Sequence, residues 1–444
     1  MDRRNFLAAT GGAALTAAGS RPNILMVITD QQSADAMSCR LGRRYLNTPA
    51  MDSLAGYGTV YTRAYCANPL CIPSRTSMFT GRYPVETGVQ TNDKTRLDHR
   101  RFPVMGSIFR SAGYATPYFG KWHLPYDADA IDTHGFSCAK LGKGDDGIAA
   151  AAAAFLRTRH DKPFLAVVSF VNPHNICQWA RREPLPDGPI GAPPPVEQCP
   201  PRRPNHAPQL NEPDIVSAMR RSYQKTRTFP VGRFTEKDWR EYIWAYYRMI
   251  EKVDGLIGQV LGALRQAGLE RDTLVVFLAD HGDCQGAHGW NQKTVFYEEA
   301  ARVPLILSLR GVTKSGVSDR LVHTGVDLIP TLCGYAGIPV PAGLPGVSLK
   351  DAKDPRESVV VSNRMVQGAP GDPTPEGRMV RSRRFKYCVY SEGNRRESLV
   401  DLDKDPGEMV NLAGDPQHAP ILAGHRKLLS GWRAQTGDRG LGSA

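Results

Sequence analysis

Two short, largely apolar runs, residues 23–29 and 273–279, each stop on an aspartate, Asp30 and Asp280. A run of this length and character reads as a strand buried on both faces. Strands of that kind need helices above and below a parallel sheet. The chain between them supplies both element types. Residues 103–112 and 145–158 read as helices, and 114–119, 164–170 and 303–309 as strands. Residues 235–267 form one long helix, with Trp239, Tyr242, Ile243, Tyr246, Ile250, Val253, Ile257, Val260 and Leu264 on a single core stripe. The expected fold is α/β, a mostly parallel central sheet sandwiched by helices.

Ligands of such sheets bind beyond the carboxyl ends of the strands. Asp30, Gly120-Lys121-Trp122-His123, Asn172-Pro173-His174 and Asp280-His281 all follow predicted strands. Singly, each has a bland reading: a strand-end cap, a solvated lysine, a structural histidine. Together they predict one site.

A fifth segment is the most specific: Cys71-Ile-Pro-Ser-Arg75-Thr-Ser-Met-Phe-Thr80-Gly81-Arg82. Pro73 suits the first turn of a helix that Ser74 to Thr80 continue. Cys71 then lies at a helix N-terminus, where backbone N–H groups favour an anion. Arg75 follows one turn later. Seven positions of this run resemble the signature of the type I sulfatases, in the alkaline-phosphatase-like superfamily. The resemblance extends from Arg21 to about Leu412.

Much follows from that resemblance. The signature cysteine is oxidised to formylglycine by a formylglycine-generating enzyme. The hydrated aldehyde is a geminal diol, in which one hydroxyl attacks sulfur and the other drives out sulfate as the aldehyde reforms. This is covalent catalysis in two easier steps. By resemblance, Asp30, Gln31, Cys71, Asp280 and His281 occupy the metal-site positions, for one divalent ion. Oxygen-rich donors suit calcium, with manganese the alternative. Arg75, Lys121 and Lys293 bind sulfate oxygens, His123 is the base at the diol, and His174 faces the leaving oxygen as general acid. Asp283, His288 and Arg82 are subsidiary candidates.

Two positions depart from the common family pattern. Gln31 stands where many members have a second Asp, and His281 where many have Asn. The Asp-Gln start also occurs in relatives that cleave phosphonate monoesters and phosphate diesters. The expected activity is sulfuric ester hydrolysis, with sulfated carbohydrate as substrate. The alternatives are a phosphonate monoester hydrolase or phosphodiesterase on the same site, and a non-catalytic sulfated-polysaccharide-binding protein.

Net charge of +12 suits an anionic substrate. No helix-turn-helix, zinc-finger or RNA-binding signature is present, which argues against a nucleic-acid partner. Arg3-Arg4-Asn-Phe6-Leu7 before a Gly/Ala-rich apolar run resembles a twin-arginine export signal over residues 1–20, implying a periplasmic enzyme. No stretch is long and apolar enough to span a membrane. Residues 21–345 are expected to form the catalytic domain. Residues 346–444 are expected to form a smaller α+β subdomain of antiparallel strands near 359–361, 378–381, 385–390 and 398–402, closed by a helix over 420–436. Ten prolines within residues 181–210 predict an extended loop, either a wall of the substrate site or a surface insertion. Of nine cysteines, Cys177 and Cys199 bracket one loop as a candidate disulfide, set against the reading that most are small buried hydrophobes.

Overall fold

A computed structural model describes residues 21–93, 96–142, 144–350 and 356–441. The proposed export signal lies outside the described residues. Eight strands make the main sheet: β1 Asn23–Asp30, β2 Thr59–Tyr65, β3 Pro117–Gly120, β4 Ser137–Leu141, β5 Leu165–Pro173, β6 Thr273–Ala279, β7 Leu305–Ser308 and β8 Gly316–His323. Their order is β4-β3-β5-β1-β6-β7-β2-β8. All neighbours are parallel except β7, which runs against both β6 and β2.

The strand period of two explains the two cores. In β1, Leu25 and Val27 join one buried cluster, while Ile24, Met26 and Ile28 join the other. In β6, Val275 and Phe277 share the first, and Leu274, Val276 and Leu278 the second. The first cluster is roofed by the 31-residue helix Glu236–Gln266, with the helices Asp145–Leu156 and Pro49–Tyr57 beside it. A capping box starts the long helix: Thr235 Oγ1 accepts from Asp238 N, and Asp238 Oδ2 accepts from Thr235 N. The second cluster is covered by Cys71–Thr80, Met105–Ser111 and Thr324–Ala336.

A second sheet is antiparallel, in the order β12-β11-β10-β9, where β9 is Ser358–Arg364, β10 Glu376–Ser382, β11 Phe385–Tyr390 and β12 Glu397–Asp401. The helix Ala419–Thr436 packs on it through Leu422, Leu429 and Trp432. Among the described residues, no helix is long and apolar enough to cross a membrane. All nine cysteines are free. The candidate pair does not form: Cys177 Sγ faces the Gln31 amide at 3.5 Å, and Cys199 Sγ faces the Pro194 carbonyl at 3.8 Å.

Candidate active site

The carboxyl ends of β1, β3, β5 and β6 deliver Asp30, Lys121, His174 and Asp280 to one edge of the sheet. The segment after β2 adds Cys71 at the start of its helix, and the long loop after β6 adds Lys293. At Gly120 φ is 98°, and a Cβ there would sit 2.0 Å from the Ser169 carbonyl oxygen. Only glycine permits that approach, and through it Lys121 N donates to Ser169 O at 2.8 Å.

Three of the residues expected from the sequence approach the Cys71 sulfur directly. Lys293 Nζ lies 3.2 Å from Cys71 Sγ, His281 Nε2 3.2 Å, and Lys121 Nζ 3.8 Å. His123 and His174 stand beside the same sulfur and bear on its charge. Burial raises the Cys71 thiol, but Lys121, Lys293 and His281 outweigh it and hold it well below its usual value. The other eight cysteines all move the other way, chiefly through burial. The chain has built an electropositive pocket around one cysteine.

Beside that sulfur, ligand atoms of Asp30, Cys71, Asp280 and His281 lie within 4.8 Å of one another, all buried. Asp30 Oδ1 is buried with no hydrogen-bond partner. It lies 4.0 Å from His281 Nε2. An orphaned carboxylate oxygen in a buried cluster is costly unless a cation takes it. Two carboxylates and an imidazole fit a divalent ion. Asp30 is held far below the usual carboxylate range: burial and the Cys71 charge oppose this, and Lys121, His174 and Arg75 prevail.

Arg75 is placed differently from the sequence expectation. Its guanidinium is fully buried and donates to Asp280 Oδ2 at 2.8 Å, Asp30 Oδ2 at 3.1 Å, Ser169 Oγ at 2.8 Å and the Lys121 carbonyl at 3.3 Å. These acceptors take up the rigid fork of donors, so Arg75 clamps the carboxylates from beneath. Gln31 sits beside the cluster with its amide engaged: Lys293 Nζ donates to Oε1 at 2.8 Å, and Nε2 donates to Asp283 Oδ2 at 2.7 Å. Burial pushes Asp283 up to about 6, although Gln31 and Tyr242 donate to it. His288 is not at the site's centre. It is buried and stacked on Tyr297 with ring centroids 3.8 Å apart.

Sequence reasoning missed Ser169 and the polar ends of two helix tyrosines. Tyr246 donates to the Gln31 carbonyl at 2.7 Å and accepts from Ser33 N at 2.9 Å. Tyr242 donates to Asp283 Oδ2 at 3.1 Å. The available signal was tyrosine, not phenylalanine, on a buried stripe, because a buried hydroxyl needs a partner. The Pro-rich loop binds the site's own segments. Asp187 accepts from Asn172 and Asn175 on either side of His174, and Arg203 donates to Gln285.

The geometry defines a hydrolase site for an anionic ester, with cations and imidazoles gathered at one nucleophile position. Comparison with known proteins gives the family. The sulfatase family model matches residues 22–338, and the model for the C-terminal part of N-sulphoglucosamine sulphohydrolase matches residues 286–435. The chain belongs to the sulfatase family and is a sulfuric ester hydrolase. It is similar to a Delta 4,5-hexuronate-2-O-sulfatase of Bacteroides thetaiotaomicron, 32% identical, over 97% of this chain and 92% of the relative. A solved 2-O GAG sulfatase is 30% identical, with a TM-score of 0.83 over 95% of this chain and 93% of that one. A phosphonate monoester hydrolase of Agrobacterium radiobacter shares the fold at 24% identity, with a TM-score of 0.72 over 95% and 97% of the two chains.

Proposed function

We propose that this chain desulfates an acidic saccharide, in the first place a uronate carrying a 2-O-sulfate, with a formylglycine made from Cys71. The observation that carries this reading is the convergence of Lys121, Lys293 and His281 on Cys71 Sγ. The substrate class rests on the two relatives of at least 30% identity named above.

As formylglycine, residue 71 supplies a hydroxyl nucleophile and an aldehyde exit that releases sulfate without a second attack on sulfur. Asp30, Asp280 and His281, with Gln31 beside them, would hold one divalent ion, calcium in this reading. The ion supplies Lewis-acid polarisation of a sulfate oxygen. Lys121 and Lys293 neutralise the remaining sulfuryl charge from opposite partners, Asp30 and Gln31. Arg75 holds the two metal carboxylates in place by donating to both. His123 is placed to take the diol proton and His174 to protonate the leaving oxygen. Burial first, and Lys293 next, hold His174 down to about 4 in this state. An arriving sulfate adds negative charge beside both lysines and raises it toward an acid's working range.

We read residues 21–345 as the catalytic domain and 346–444 as a subdomain, with export through the twin-arginine route after Cys71 is oxidised. The test is turnover of a 2-O-sulfated unsaturated uronate disaccharide, beside 4-nitrophenyl sulfate and a phenylphosphonate monoester. The disaccharide should be the best substrate. Turnover of the aryl sulfate alone would remove the saccharide assignment, and preference for the phosphonate would move the reaction centre to phosphorus.

A further inference from the structure

The second sheet reaches into the active site, and this inference deepens the reading above by resting on the role of Lys293. Lys293 lies between two residues in the left-handed region, Gln292 at φ 62° and Thr294 at φ 74°. That conformation is costly for a β-branched residue such as Thr294 and persists only where its surroundings impose it. The peptides of Thr294 are gripped on both sides. Thr294 N donates to the Pro69 carbonyl at 3.1 Å, two residues before Cys71. The Thr294 carbonyl accepts from Asn363 Nδ2, on β9 of the second sheet. Asn363 is buried, 1% exposed.

The same sheet holds the chain onward. Lys386 Nζ, on β11, donates to the Phe296 carbonyl at 2.8 Å. At Gly377, on β10, a Cβ would sit 2.6 Å from the Phe296 ring, so the sheet lies flat against it. Ser362 N, next to Asn363, donates to the Ala67 carbonyl at 3.1 Å, on the segment that leads to Cys71. One strand therefore touches both the nucleophile's approach and the lysine's. Because the Lys293 side chain is long, a small rotation at Thr294 moves Nζ far from residue 71.

We propose that Asn363 is a positioning residue for Lys293: its amide holds the Thr294 carbonyl and fixes the left-handed turn that presents the Lys293 ammonium to residue 71. A misplacement of about 1 Å at a charge-stabilising group costs on the order of 10²-fold in rate. The test is a double-mutant cycle with Asn363→Ala and Lys293→Ala, scored on the sulfated disaccharide after mass analysis of residue 71 in each variant. Asn363→Ala alone should lower kcat by about 10- to 100-fold with KM within about threefold. In the Lys293→Ala background it should change kcat less than about twofold, because the group it positions is gone. Losses that multiply, a raised KM with unchanged kcat, or wild-type kcat would overturn the proposal. Asn363→Asp, similar in size but lacking the donor, serves if the alanine variant does not fold. Failure of both to fold, with Lys293→Ala stable, would assign Asn363 to stability alone and also overturn it. Undiminished turnover in Lys293→Ala itself would sink the functional reading instead.

Discussion

Arg75 Nε and Asp280 Oδ2 meet at 2.8 Å as an ion pair that solvent does not reach on either side. Removing one partner of such a pair strands the other charge, which costs about 3–5 kcal/mol. Arg75→Met should therefore lower the unfolding free energy by about that amount in urea titration, and turnover should fall with it. Loss of turnover at wild-type stability would mean that the guanidinium acts on the substrate and not on the carboxylates.

The orphaned Asp30 Oδ1 predicts that a divalent ion stabilises the fold as well as the reaction. Binding adds about 2.7 kcal/mol at an ion concentration of 100 Kd. Chelation should lower the thermal midpoint and calcium should restore it. Asp280→Asn should abolish the calcium response. A larger shift with manganese than with calcium would change the ion assigned here.

Tyr246 ties the long helix to the metal site by accepting from Ser33 N and donating to Gln31 O. Tyr246→Phe leaves a buried amide unpaired, which costs about 1–3 kcal/mol. Calorimetry should show that loss, together with weaker calcium affinity, since Gln31 adjoins Asp30. An unchanged ion affinity would confine Tyr246 to the core.

Asp254, on the long helix, accepts from Ala50 N and Met51 N at the start of the helix Pro49–Tyr57. Burial pushes it up to about 6, despite those two donors. For an acid raised on folding, the native state holds the proton more tightly than the unfolded chain. Its contribution is full below the unfolded pKa, near 3.8, and is lost as pH rises through about 6. Two pKa units correspond to roughly 3 kcal/mol. Asp254→Asn should flatten the fall in unfolding free energy between these pH values. A slope identical to wild type would show that the carboxyl is not shifted.

The parts of the fold legible in the sequence are those buried on both faces or spaced by a strict period. β1 and β6 read as strands because no polar residue interrupts their cores, and the helix Glu236–Gln266 reads from its stripe. The four C-terminal strands read from short alternating runs. β2 and β8 did not, since β8 lies at the sheet edge with Asp319 and Arg320 within it. Nor did the antiparallel direction of β7, because hydrophobicity carries no direction. Pro330 hid the helix Thr324–Ala336. At the site, placement after predicted strands pointed to Asp30, Lys121, His123, His174 and Asp280, and the family resemblance pointed to Cys71 and Lys293. Neither reached the turning of Arg75 under the carboxylates, or Asn363 against Thr294. Those are contacts between residues far apart in sequence, fixed only when sheet and loops pack.

The central claim is the chemical state of residue 71. Peptide mass analysis of the active enzyme, purified from cells that contain a formylglycine-generating enzyme, tests it most directly, read beside sulfate release by Cys71→Ala. Residue 71 should carry the mass of formylglycine, turnover should scale with its occupancy, and the alanine variant should release no sulfate. Full sulfatase turnover with residue 71 still an unmodified cysteine would contradict the account.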